Sequence, residues 1–445
     1  MNALWRRALA AAMVLLIFEG ALRKWVMPEA QAWLYLAKDA LLALAYVAFL
    51  MSRGVPHPGR GASVVLVLMG AAALYGAGEM LNPALPNLSL ALIGWKSYFW
   101  YVPLLIIVPH LFRSSEEMLL WLRRYALLVV PVALLGILQF FSPADSAINL
   151  NVEYERGAGG VVTFGDIDRV RVAGTFAFIS GYSAYLTTIA LLCIGLAAGR
   201  AWKLTQNQAL FVALGVSVVA MLATGSRAPV YTLALAIPAY LLISSVRGDL
   251  SLGVALRATG TVLLGLLVIW YFAPEPLEAF TARAARTDDT MGRLLSPFEE
   301  PFRMLQHAGF WGFGIGATHQ ASSYLVGPGY PWWTSGLMAE AETTRVLMEL
   351  GPIGFILIFW VRVLLFVTAL RAAFALGVPA HRALALAIAL FLGLHVPGAV
   401  IFNVTAGVYY WFAAGLLFAL FRLEATPARS AGHAHGTARM ALHQR

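Results

Sequence analysis

Apolar runs of membrane-crossing length recur from one end of this 445-residue chain to the other. A helical span needs about 20 apolar residues to cross a bilayer core. Inside that core the backbone must satisfy its own hydrogen bonds, and a helix does so within one segment. The runs therefore predict an all-α polytopic membrane protein, with the bilayer in place of a single buried globule. Twelve candidate spans read at roughly 7–27, 32–51, 62–80, 90–112, 118–141, 174–198, 207–223, 228–246, 256–273, 344–370, 382–401 and 405–422. Composition agrees: charged residues make up 12% of the chain, half of the about 25% usual in a soluble domain.

Charge sorts the connections between these spans. The net charge is +9, and only four of the 31 basic residues are Lys. On a soluble protein this balance would point to nucleic acid; here it fits cytoplasmic loops held by the positive-inside rule, and no nucleic-acid partner is expected. With the N-terminus inside, alternate connections carry Arg6 and Arg7, Arg53 and Arg60, Arg113 with Arg123 and Arg124, Arg200 and Lys203, Arg247 and Arg257, then Arg371 and Arg382. Most acids fall on the other side. Both termini are thus expected in the cytoplasm, beneath a bacterial inner membrane. The start, MNALWRRALAAAMVLLIFEG, has the basic flank and apolar stretch of a signal peptide. It lacks a small-x-small site before Glu19, so it reads as a retained first span. Cys193, the single cysteine, lies in an apolar run and offers no disulfide and no cysteine metal site.

The chain divides into an N-terminal bundle (1–141), a first periplasmic loop (142–173), a central bundle (174–273), a large periplasmic loop (274–343), a C-terminal bundle (344–422) and a tail (423–445) that reads as disordered. The large loop holds eight acids and four arginines. Its middle, MGRLLSPFEEPFRMLQHAGFWGFGIG, alternates apolar and charged residues as surface-lying amphipathic helices do. No internal repeat is visible, unlike the architecture of many secondary transporters. No Walker loop, dinucleotide fingerprint or HExxH occurs, and GFGIGATH follows no strand of a βαβ unit. His307 and His319 stand twelve residues apart without the grouping a metal needs. No metal or other cofactor is expected.

Arginines at the outer span ends carry the most chemical information. Arg171 precedes VAGTF, Arg227 lies in ATGSRAP between two apolar runs, and Arg345 lies in EAETTRVLMELG. A guanidinium offers a planar fork of donors suited to phosphate oxygens. Three of them converging would hold a diphosphate at headgroup depth; the same placement also suits arginines that snorkel to lipid headgroups. Glu340, Glu342 and Glu349 share the segment of Arg345. On a helix Glu342 and Arg345 fall on one face, and Glu349 nearly so. A carboxylate beside a cation can take a proton from a hydroxyl, or form an ordinary surface ion pair. A carboxylate deeper in the membrane, as expected for Glu349, marks a function or a buried partner. Asp39 with Lys38, and Glu19 with Arg23 and Lys24, fall under the same reasoning and can pair with each other.

Four segments, in order, resemble the O-antigen ligase and O-antigen polymerase superfamily. RVRVAGTFAFISGYSAYL resembles its R-x-x-G-T-F start of a span, LATGSRAPVYTLALAI its T-G-S-R segment, HAGFWGFGIGATH its Gly-rich stretch in the large loop, and ETTRVLMELGPIGFILIFW its E-x-G-x-x-G span start. They cover about 171–360. ALRKWVMPE and GEMLNPALPNL look like those of an exopolysaccharide-associated branch. The resemblance implies a GT-C-like glycosyltransferase that uses an undecaprenyl-diphosphate glycan at the periplasmic face, without metal or nucleotide sugar. It implies Arg171 and Arg227 as diphosphate ligands that stabilise leaving-group charge. A chain-length regulator and a flippase are its implied partners. The family's ligases place His-Asn nine residues before the Glu of E-x-G, where this chain has Glu340 and Ala341. Glu340 or Glu342 is then the base candidate, with His319 and Glu349 as further candidates, and a polymerase of exopolysaccharide or O-antigen repeats is favoured. An O-antigen ligase, transferring glycan to lipid A-core, and a transporter of lipid-linked oligosaccharide are the alternatives. Bond formation in liposomes separates enzyme from transporter.

Overall fold

The structure, a computed structural model, describes residues 2–54, 60–150, 162–164, 169–199, 204–249, 267, 270–271, 274–285, 290–327 and 341–425. Among these residues there is no strand, only an isolated antiparallel bridge between Thr163 and Val170. The helices are α1 (Asn2–Ala21), α2 (Gln31–Arg53), α3 (Arg60–Glu79), α4 (Leu88–Phe99), α5 (Leu104–Ile107), α6 (Ser115–Leu127), α7 (Val129–Phe141), α8 (Ile179–Ala198), α9 (Leu204–Ala223) and α10 (Arg227–Val246). After them come α11 (Pro274–Ala285), α12 (Thr290–Ala308), α13 (Ser322–Leu325), α14 (Glu342–Ala375), α15 (Pro379–Leu394) and α16 (Val404–Ala425).

Eight helical segments among the described residues are long and apolar enough to cross a membrane, which is the build of an all-α polytopic membrane protein. Two further expected spans are shorter apolar helices, Asn207–Ala223 and Pro379–Leu394. The first expected span forms α1, which carries Arg6, Arg7 and Glu19 and is not among the eight. The expected span at 256–273 lies outside the described residues but for Leu267, Trp270 and Tyr271, and so does the tail from 426. Outward faces are apolar: Trp33 and Leu74 are each 78% exposed. A water-soluble fold would bury such side chains, whereas a lipid-facing surface presents them.

Side-chain contacts sort the helix ends into two groups. At one end Arg6 donates to the His110 carbonyl, 3.2 Å, and Arg422 to the carbonyls of Pro109 and Phe112. Arg247 reaches the Ala373 carbonyl at 2.6 Å there, and Arg382 meets Asp249 at 2.8 Å. The opposite end gathers the turn after α1, the segment before α8, the α9–α10 turn, the glycine loop after α12 and the loop 395–403. There Thr175 Oγ1 donates to the Ile17 carbonyl, 2.6 Å, and Asn403 Nδ2 to the Ser180 carbonyl, 3.0 Å.

The helix α14 is broken. Gly351 takes φ +61°, a left-handed value open to glycine, and Pro352 follows without an N–H to give. The break lets the loop Gly312–His319 thread between α14 and α4. Its fit depends on missing side chains. A Cβ on Gly94 of α4 would lie 2.4 Å from the Gly316 Cα, and one on Gly316 would lie 2.4 Å from the Leu90 carbonyl oxygen. Under the loop Leu90, Ala308, Ala317, Leu347 and Met348 form a small apolar core of their own. We expect Gly94→Val to force α4 and the loop apart and to cost about 1–3 kcal/mol, read as a lower melting temperature in detergent and new protease cleavage near 312–319.

Candidate functional site

The site is built from the loop end of the bundle, and its anchor is Glu342. This residue opens α14 and is buried. Its carboxylate accepts from the successive N–H groups of Val400, 2.8 Å, Ile401, 2.8 Å, and Phe402, 3.0 Å. Consecutive N–H groups in such a turn form a cradle for an anion. Arg362, buried in the second segment of α14 beyond the break at Gly351, donates to the same carboxylate. The other edge of its guanidinium gives Nη1 to the carbonyls of Val396, 3.1 Å, and Gly398, 3.0 Å. The irregular loop 395–403 thus finds acceptors in Glu342 and donors in Arg362.

That loop sets Phe402 beneath Arg345, whose guanidinium carbon stands 3.5 Å from the ring centroid. Arg345 gives Nε to Thr318 Oγ1, 3.2 Å, and Nη2 to the Thr318 carbonyl. A guanidinium has five N–H donors, and among the described residues none of those on Arg345 reaches a carboxylate within ion-pair distance. Glu349, about one turn further on, is fully buried, at 0% exposure. It accepts from Tyr98 Oη, 2.9 Å, Gly316 N, 3.0 Å, Thr318 N, 2.8 Å, and Thr318 Oγ1, 2.6 Å. Four donors meet the requirement of a buried carboxylate. They also fasten the glycine loop to α14.

His319 closes the loop. The Ala321 N–H donates to its Nδ1 at 3.0 Å, which leaves the ring proton on Nε2. Burial, with Arg345 and Lys96 nearby, pushes its imidazole down to about 4. The ring is neutral at neutral pH.

Arg171 and Arg227 lie at a different place, the α9–α10 turn. The short bridge at 163–170 carries Arg171 to the α9–α10 turn, where its Nε donates to the Thr224 carbonyl, 3.0 Å. Gly225 takes φ +63° there, and a Cβ on it would lie 2.9 Å from Arg171 Nε. Arg227 begins α10 two residues on. The structure therefore brings two of the three expected arginines to one turn. Arg345 belongs to the neighbouring cluster, joined through Phe402, Asn403 and the start of α8. Glu342 takes Arg362 as its partner, not Arg345. Glu340 lies outside the described residues.

Two members of the site escaped the sequence reading. Lys96 sits in ALIGWKSYFWY and pairs with Asp39 at 2.5 Å; Arg362 sits in FILIFWVRVLLF. A charge inside an apolar run is costly and marks function or a buried partner, so that signal was present for both. Of the charges in the first two spans, Glu19 bonds Arg23 at 3.1 Å and Lys38 at 2.9 Å. Among the described residues no three of His, Cys, Asp and Glu gather as metal ligands. A scan against models of protein families and a search of curated proteins each found no match to this chain.

Two outcomes follow from this geometry. Glu342→Ala strands the Arg362 charge in the interior, a loss of about 3–5 kcal/mol, measured as thermal unfolding in detergent. The His319 ring binds protons more weakly folded than at its free value of about 6.5. The unfolded chain then takes up the proton first as pH falls, and the contribution to stability is lost between about 6.5 and 4. The melting temperature of the wild type should fall further between pH 7 and 5 than that of His319→Gln.

Proposed function

We propose that this chain is a membrane glycosyltransferase that joins undecaprenyl-diphosphate-linked oligosaccharide repeats into exopolysaccharide or O-antigen at the periplasmic face. One observation carries the reading: Arg171 and Arg227 share one turn, and Arg345 stands in the adjoining cluster, at the end of the bundle opposite to Arg6, Arg247, Arg382 and Arg422. By the positive-inside rule that opposite end is cytoplasmic. The arginine site then lies at the outer surface, where the diphosphate of a lipid-anchored donor sits. The twelve-span, GT-C-like architecture with both termini inside belongs to the same proposal, as does the likeness to the O-antigen ligase and polymerase superfamily.

The donor lipid enters between the apolar helices with its diphosphate at Arg171 and Arg227. An acceptor sugar hydroxyl attacks the anomeric carbon, the bond from that carbon to the diphosphate oxygen breaks, and undecaprenyl diphosphate leaves. The guanidinium donors stabilise the charge growing on the leaving oxygens, which is the dominant kind of catalytic contribution in such a displacement. A single displacement inverts the anomeric centre. Glu340 takes the hydroxyl proton. Glu342, surrounded by the Val400–Phe402 N–H groups and Arg362, positions Phe402 and through it Arg345. Arg345 keeps donors for the incoming substrate, and the loop 274–343 forms the acceptor wall. Glu340 and Ala341 stand where the ligases carry His-Asn, which favours a polymerase over transfer to lipid A-core.

The test is long-chain polysaccharide in cells carrying Arg227→Ala, Arg171→Ala or Arg345→Lys at wild-type membrane levels. Loss of polymer is expected for the first two. Arg345→Lys should keep a small fraction of activity, because an ammonium lacks the planar face that stacks on Phe402. Wild-type polymer from Arg227→Ala would overturn the proposal.

A further inference from the structure

The segment ALRKWVMPE plays no part in the chemistry above, yet it places two cations just after α1. Glu19 accounts for Arg23. Lys24 is different. It is 7% exposed and lies on a π-helical turn, Leu22–Val26, a distortion frequent at functional sites. Its ammonium donates to the Gly174 carbonyl, 2.7 Å, and rests 4.6 Å from the Trp25 ring centroid. Among the described residues no carboxylate lies within ion-pair distance of it. An ammonium has three donors, and burial without a counter-charge is costly.

The surroundings hold this lysine in place. Gly20 packs so closely on the segment before α8 that a Cβ would lie 2.2 Å from Ala177 N. Trp25 Nε1 donates to the Ala147 carbonyl, 2.9 Å, on the other flank. Lys24 lines a cavity of about 110 Å³ together with Arg171, Gln139 and Asn149. Two cations therefore border one cavity. Asn149, only 5% exposed, has an Oδ1 without a hydrogen-bond partner among the described residues. The remaining wall includes Leu150, Val162 and Phe178, and apolar walls strengthen a charge pair by lowering the local dielectric.

We infer that this cavity seats an anionic phosphoester group, with Lys24 as its counter-ion beside Arg171. The inference rests on the proposed function only in assigning that phosphate to the polyprenyl donor; a bilayer phospholipid or a free phosphate shares the chemistry. The purified full-length protein in detergent, as wild type, Lys24→Met and Lys24→Arg, is titrated with undecaprenyl diphosphate, phosphatidylglycerol and inorganic pyrophosphate. Lys24→Met should bind the preferred probe at least about tenfold more weakly, as expected for one charge-assisted hydrogen bond. Lys24→Arg keeps the charge and should bind that probe more tightly than Lys24→Met. Without probe, Lys24→Met should melt no lower than wild type, since it removes a buried charge that has no counter-ion.

Equal affinity of wild type and Lys24→Met for all three probes overturns the inference. So does a lower melting temperature of Lys24→Met with lost binding that Lys24→Arg fails to restore, because the lysine is then structural. Lys24-dependent binding of phosphatidylglycerol or pyrophosphate alone supports the seat while removing the polyprenyl donor. Polymer formation does not enter these measurements, so the two readings fail separately.

Discussion

Irregular backbone deep in an apolar bundle is tolerated where protein groups satisfy it, and the Glu342–Arg362 pair does this for residues 395–403. Carbonyls of that loop turn to the guanidinium, and N–H groups turn to the carboxylate. An isolated buried ion pair adds little to stability, because desolvation offsets its attraction. Here the pair supplies hydrogen-bonding groups that the backbone needs and cannot obtain from lipid. The Arg345 cluster leans on this arrangement. Phe402 is aimed at Arg345 by it, and Asn403 ties the start of α16 to the start of α8.

The carboxylates of α14 act in series along one helix. Glu342 fixes the loop on one side, and Glu349 fixes the glycine loop on the other. Arg345 lies between them and bonds Thr318, the residue that Glu349 also holds. A change at either carboxylate therefore reaches the arginine through a shared partner. This coupling is carried by packing and hydrogen bonds within about two helical turns, over which side chains three and four residues apart remain neighbours.

The sequence disclosed the class of the fold and the residues of the loop end because apolar runs and charges are local signals. Arg171, Arg227, Arg345 and Glu342 were legible as charges at span ends, and Glu349 as a carboxylate deeper in the membrane. Their partners were not. Glu342 and Arg345 stand three apart, which suggests a mutual pair, but Arg362 sits twenty residues from Glu342 and wins the contact because the break at Gly351 and the fold of loop 395–403 bring in groups that need both charges. Asp39 likewise pairs with Lys96 and not with adjacent Lys38, since neighbours in a helix sequence point to different faces. The role of GFGIGATH was hidden for a related reason. Its glycines look like a phosphate loop, yet they permit close approach to α4 and α14, and two N–H groups of the loop serve Glu349. Only tertiary contact distinguishes these uses.

The break at Gly351–Pro352 also bears on how the chain is made. It leaves α14 with carbonyls that the helix itself does not use: Met348 O takes the Phe313 N–H at 2.8 Å, and Leu350 O takes the Tyr75 hydroxyl at 3.0 Å. Both donors precede α14 in the chain, so both have left the ribosome before this helix emerges. The interrupted segment therefore enters the bilayer with its partners already synthesised. Moving residues 342–375 to an earlier place in the gene would present the same broken helix to lipid with nothing to receive those carbonyls.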